Sequence, residues 1–136
     1  MYARKSLGVL LMTLALLLLL LPAKALGDTN SLTLDQTTFA PGEPISVHFT
    51  AAPDLNDTAW VGIVPSNIPH GSEVTNDAND IQYQQLVGQT SGVLTLTAPS
   101  QPGAYDLRMN STDYAWENGN EIASVSFTVS DDRSIG

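Results

Sequence analysis

The chain has 136 residues, no cysteine and a formal net charge of −9, with 14 acidic residues against five Lys and Arg. Nucleic acid and anionic lipid bind through Lys and Arg that displace counterions, so this balance excludes both as partners and leaves cations, basic proteins and neutral sugars. The same acidity also keeps an exported protein in solution, and the lack of cysteine means that no disulfide is available and packing alone must hold the fold.

At the N-terminus, Arg4 and Lys5 precede an apolar run from Leu7 to Leu21, broken only by Gly8 and Thr13 and stopped by Pro22. Ala23-Lys24-Ala25 then offers small residues at the two positions a signal peptidase reads. The run falls short of the roughly 20 residues that span a bilayer. Residues 1–25 are therefore expected to be a cleaved signal peptide, and the product a secreted or periplasmic protein with no membrane insertion after cleavage. Residues 26–130 then form one domain and residues 131–136 a flexible tail. Removing Arg4, Lys5 and Lys24 leaves Arg108 and Arg133 as the only Lys or Arg, so the product carries no lysine.

Beyond Gly27 no stretch has the apolar spacing of a helix of useful length; short alternating segments recur between Pro, Gly, Asn, Asp and Ser. Ser31–Asp35 comes first, with Leu32 and Leu34 on one face. After Pro41-Gly42, Ile45–Thr50 turns Ile45, Val47 and Phe49 inward and His48 outward. Ala59–Val64 is apolar on both faces and reads as a central strand. A long polar connection over 65–79 leads to Asp80–Val87. Ser91-Gly92 then opens Val93–Thr97, with Leu94 and Leu96 inward. Ala104–Asn110 sends Tyr105, Leu107 and Met109 one way and Asp106 and Arg108 the other. Ile122–Ser130 buries Ala123, Val125, Phe127 and Val129. Seven strands, a tryptophan on the third and a tyrosine opening the sixth predict an all-β, seven-stranded immunoglobulin- or fibronectin-like β-sandwich.

Two segments carry a family likeness. Thr38-Phe39-Ala40-Pro41-Gly42-Glu43-Pro44-Ile45, followed by Ala59-Trp60-Val61-Gly62-Ile63-Val64-Pro65, resembles bacterial extracellular immunoglobulin-like modules, which combine a Pro-Gly-Glu turn with a Trp-(Ile/Val)-Gly-Ile strand. Ser91-Gly92-Val93-Leu94-Thr95-Leu96 and Pro102-Gly103-Ala104-Tyr105-Asp106-Leu107-Arg108 fit the same pattern, so the likeness spans about residues 32–129. The Trp-Val-Gly-Ile strand is also similar to the start of SKICH domains, a likeness confined to that strand. The resemblance implies the sandwich and a role in adhesion or recognition; it assigns no functional residue.

The sandwich topology is expected to place Asp54, Asn56 and Asp57 near Asp113, Glu117, Asn118, Asn120 and Glu121 at one end, with the 65–80 connection at the other. Either end holds the oxygen donors that Ca2+ prefers, and ordinary turns use the same residues. Connections as long as 65–80 are disproportionately functional. This one admits three readings: a cation site, a polar-ligand site, or a loop tied to itself by Asx hydrogen bonds. For a cation, the carboxylate ligands would be Glu73, Asp77 and Asp80, with His70 nearby. His70, Tyr114 and Trp116 are the candidate ligand-binding side chains, the two aromatics offering rings for stacking. Two histidines and no cysteine speak against a transition-metal centre. No nucleophile–base motif is present, so no catalytic residue is assigned and the chain is not read as an enzyme. Arg108 is expected to make an exposed cross-strand pair of about 0.2–1 kcal/mol. The function expected is that of an exported, monomeric, non-catalytic binding module for a protein or glycan partner, assisted by calcium. The alternatives are a small carboxylate-dependent hydrolase and a structural cell-envelope component.

Overall fold

The computed structural model describes residues 29–113 and 119–131. They form β1 (Ser31–Leu34), β2 (Thr38–Phe39), β3 (Pro44–Thr50), β4 (Trp60–Pro65), helix α1 (Glu73–Asn79), β5 (Gln82–Gln85), β6 (Ser91–Thr97), β7 (Gly103–Asn110) and β8 (Glu121–Val129). The strands make two sheets, one in the order β1-β3-β6 and the other in the order β2-β8-β7-β4-β5. Every pairing is antiparallel except β2 with β8. The expected all-β, two-sheet architecture is thus present. Among the described residues, no helix is long and apolar enough to cross a membrane.

Alternation along the strands decides which side chains meet between the sheets. From the three-stranded sheet come Leu32, Ile45, Val47, Phe49, Leu94 and Leu96; from the five-stranded sheet come Phe39, Val61, Ile63, Tyr105, Leu107, Met109, Phe127 and Val129. All are buried in one cluster, with Phe127 edge-on to Phe39 and stacked on Tyr105. Ala123, Val125 and Leu34, read as inward, are only half-buried at its margin. The Tyr105 hydroxyl donates to the Gln101 carbonyl at 2.7 Å and fixes the entry to β7. At the turn before β3, Glu43 N donates to Ala40 O and the Glu43 carboxylate accepts from Ala40 N at 2.8 Å. Gly42 there adopts φ +78°, a region open to glycine at little cost.

Two expectations are corrected. The described residues form eight strands rather than seven, because Thr38–Phe39 adds a two-residue parallel rung to Thr128–Val129. A segment that short leaves no periodic signature. The polar connection is also not all loop: Glu73–Asn79 is helical, capped by Ser72, whose Oγ accepts from Thr75 N at 3.3 Å. A helix of two turns has no intrinsic stability in water, and this one is held by what its buried face, Glu73 and Asn76, touches.

Candidate functional site

The chain after β4 does not remain at the end where that strand stops. It runs back across the outer face of the five-stranded sheet, so that Glu73 N donates to Gly119 O and Glu121 N donates to Gly71 O (3.1 and 3.0 Å). Ser72 bridges to Asn120. The expectation that the 65–80 segment and the 113–121 segment lie at opposite ends is therefore overturned. Residues 119–121 lie beside residues 71–73, and the segment between Ser66 and Asn79 forms a strap over β7.

This strap changes the fate of the outward-facing residues of β7. Asp106 and Arg108 alternate away from the core, as read, and Asn110 follows them, yet all three are buried. Arg108 is 0% exposed. It donates to Ile68 O (2.7 Å), Pro69 O (3.1 Å) and Asn76 Oδ1 (2.8 Å), and twice to Asp106 Oδ2 (2.8 and 3.2 Å). Asp106 Oδ1 accepts from Ser66 and Ser126 at 2.9 and 2.8 Å. Burial opposes the charged carboxylate, but the bonds from Arg108, Ser126 and Ser66, with the Arg108 charge, outweigh it and hold Asp106 below the usual carboxylate range. The expected exposed pair of Arg108 is thus wrong in kind: the guanidinium is the hub that fastens the strap to the sheet. Asn76 extends the network by donating to Asn110 Oδ1 (2.8 Å) and Glu121 Oε1 (3.0 Å). Half-exposed His70 completes it, with Nδ1 2.6 Å from Glu121 Oε2 and Nε2 3.3 Å from both Asp106 Oδ2 and Arg108 Nη2.

At the far end of the strap lies the acidic group. Glu73 is 1% exposed, and its Oε1 accepts from the indole Nε1 of fully buried Trp60 at 3.0 Å; the same N–H reaches Thr112 O at 3.1 Å. Asp77, one helical turn later, lies on the same side of α1, and Asp113 arrives from the β7–β8 connection. Carboxylate oxygens of Glu73, Asp77 and Asp113 all lie within 4.8 Å of one another. Burial and the neighbouring Asp77 and Asp113 charges push Glu73 above its ordinary value, against the lowering bond from Trp60. Asp77 is raised by burial and by Asp113. Asp80, the C-cap of α1, is raised by burial and by Asp77 and Asp113, with its own backbone N–H opposing.

The candidate residues named from sequence thus divide. Glu73 and Asp77 come together, their third partner is Asp113, and Asp80 stands beside the group rather than in it. His70 belongs to the strap network. Tyr114 and Trp116, with Glu117 and Asn118, lie outside the described residues. The expected approach of the 54–57 segment to Asp113 is made through Thr58, whose Oγ1 accepts from Asp113 N at 3.1 Å and lies 3.2 Å from Thr112 Oγ1. Asn56 caps that turn by accepting from Thr58 N and Oγ1, while Asp54 and Asp57 are exposed. His48, read as an outward strand residue, is half-exposed and pairs with Asp35 at 3.2 Å. Comparison with protein-family models, curated proteins and solved structures returns no match.

Proposed function

We propose that the protein is an exported, non-catalytic recognition module of the immunoglobulin-like class, which takes a calcium ion beside α1 and presents that end to a protein or glycan partner. The observation that carries the reading is the convergence of Glu73, Asp77 and Asp113, with carboxylate oxygens within 4.8 Å and one of the three buried. Like charges held this close favour either protonation or a cation between them. An all-oxygen set of hard donors suits Ca2+, with water and backbone carbonyls completing six to eight ligands. The immunoglobulin-like reading is supported by the two-sheet strand order, by buried Trp60 on β4, and by the Tyr105 hydroxyl bound back to the chain just before β7. The apolar leader supports export.

The test is thermal unfolding and calorimetric titration with calcium, magnesium and chelator. A specific site raises stability by about 2.7 kcal/mol at a hundredfold excess of ion over Kd, on the order of 10 °C for a domain of this size. Magnesium should not reproduce the shift. Asp77→Asn and Asp113→Asn should each abolish it, while Asp80→Asn leaves most of it. An unfolding midpoint that ignores calcium in the unsubstituted protein would remove the cation from the proposal.

A further inference from the structure

Charge is distributed very unevenly along this chain. From Ile81 to Tyr105 there is no Asp, Glu, Lys or Arg, although the whole chain holds 19 such residues. That segment contains all of β5 and β6, each of which ends its sheet. It also carries four of the five large apolar side chains exposed among the described residues: Ile81 (52%), Tyr83 (54%), Val87 (68%) and Val93 (56%). Val87 sits at φ 52°, a left-handed conformation that is rare and costly for a β-branched residue, and is nevertheless the most exposed of the four.

The backbone of β6 is open on its outer side. Ala51 N donates to Thr90 O, and Ala98 N donates to Glu43 O, so even-numbered residues of this strand turn their peptide groups toward β3. The odd-numbered residues Ser91, Val93, Thr95 and Thr97 therefore turn theirs away. Thr97 N meets the Gln82 side chain at 2.7 Å, where β5 comes close to β6, while Val93 and Thr95 turn theirs outward with no hydrogen-bonded strand beside them in either sheet. Proteins protect such edges by shortness, charge, proline or a bulge. The two-residue β2 and the four-residue β1 and β5 are short. The seven residues of β6 have none of these devices.

We propose that this edge is a self-association surface, on which β6 pairs antiparallel with β6 of a second copy about a two-fold axis at Leu94. In that register Val93 stands opposite Thr95 of the second copy, and Ser91 opposite Thr97. The outward peptide groups of Val93 and Thr95 are satisfied and their β-branched side chains meet as cross-strand pairs. The charge distribution selects a second copy as the occupant. Two acidic molecules repel least where both are neutral, and the Glu73, Asp77 and Asp113 group belongs to the opposite sheet. A cationic partner would find no carboxylate along β6 to recruit it. The joined sheet would run through six strands, β1-β3-β6 and its mirror order. An interface made by one edge is smaller than the ~1,200 Å2 of stable complexes, so the dimer is weak and depends on concentration. This departs from the monomer expected from sequence and is independent of the calcium site.

The experiment is sedimentation velocity from about 10 µM to about 1 mM, a range that brackets weak association. It uses the chain as a host cell processes it, with the N-terminus read by mass spectrometry. Thr95→Pro removes the outward donor and spares the ladder to β3, since proline is tolerated where the strand N–H faces away from its sheet. Val93→Lys places a charge on the same edge without touching the backbone. The unsubstituted protein should shift from monomer to dimer across the range, and both variants should stay monomeric with unchanged unfolding midpoints. A protein monomeric up to the highest concentration, or dimers that persist in both variants, would overturn the proposal.

Discussion

Arg108 shows how far a single side chain can depart from its local context. Its neighbours on β7 give it an outward phase, and a strap more than thirty residues upstream covers that phase with backbone carbonyls. Removing one member of a buried ion pair costs about 3–5 kcal/mol, because the other is left buried and unpaired. Arg108→Ala should therefore lower the unfolding midpoint by more than about 10 °C, whereas an exposed pair would hardly register. Gly62 carries a similar constraint. A Cβ there would lie 2.4 Å from Trp60 Cζ3 and 3.2 Å from Gln82 O. Gly62→Ala should displace the indole that donates to Glu73 and cost about 1–3 kcal/mol, measurable by denaturant unfolding together with a shift in tryptophan fluorescence.

At the scale of the element, α1 and the strap behave as a cover fastened by polar contacts. Ser72→Ala removes the N-cap and should cost about 0.5–2 kcal/mol. Hydrogen exchange should show the loss first in the α1 amides and leave β3 and β7 protected. The acidic group that α1 brings together also sets a pH dependence, and its sign follows from the direction of each shift. Glu73, Asp77 and Asp80 lie above their ordinary values of 4.5 and 3.8 in the fold. Their ionised forms therefore cost the folded state stability above those raised values, and the cost disappears as pH falls through them. Without added cation, the unfolding midpoint should rise as pH falls through those raised values toward the ordinary ones. Asp77→Asn combined with Asp113→Asn should flatten the rise. Asp106 acts in the opposite sense: its contribution is complete above its ordinary 3.8 and is lost as pH falls through its lowered value.

For the whole molecule, the core was the most legible part. Val47, Phe49, Leu94, Leu96, Leu107, Met109, Phe127 and Val129 alternate in sequence and are buried in the structure, because strand periodicity is a local property. β2 and α1 were not legible, since two residues of strand or two turns of polar helix leave no periodic mark. The unfolding transition should be indifferent to reductant and cooperative by circular dichroism and fluorescence alike, since the strap closes onto the same sheet that supplies the core. Separate transitions for the two probes would mean that the strap opens on its own.

The site divides along the same line. The sequence by itself determined that acidic and amide oxygens gather in the 65–80 connection, that Trp60 lies on a strand buried on both faces, and that the chain is acidic and cannot form disulfides. Only the tertiary structure decided that Asp113 joins Glu73 and Asp77 while Asp80 stands aside, and that Asp106, Arg108 and Asn110 are buried. The physical reason is range. Alternation, turn chemistry and charge are properties of neighbouring residues, whereas burial of an outward face depends on where a distant segment crosses it. That crossing is held by contacts such as Arg108 to Ile68 and Glu73 to Gly119, which span about forty residues or more of chain.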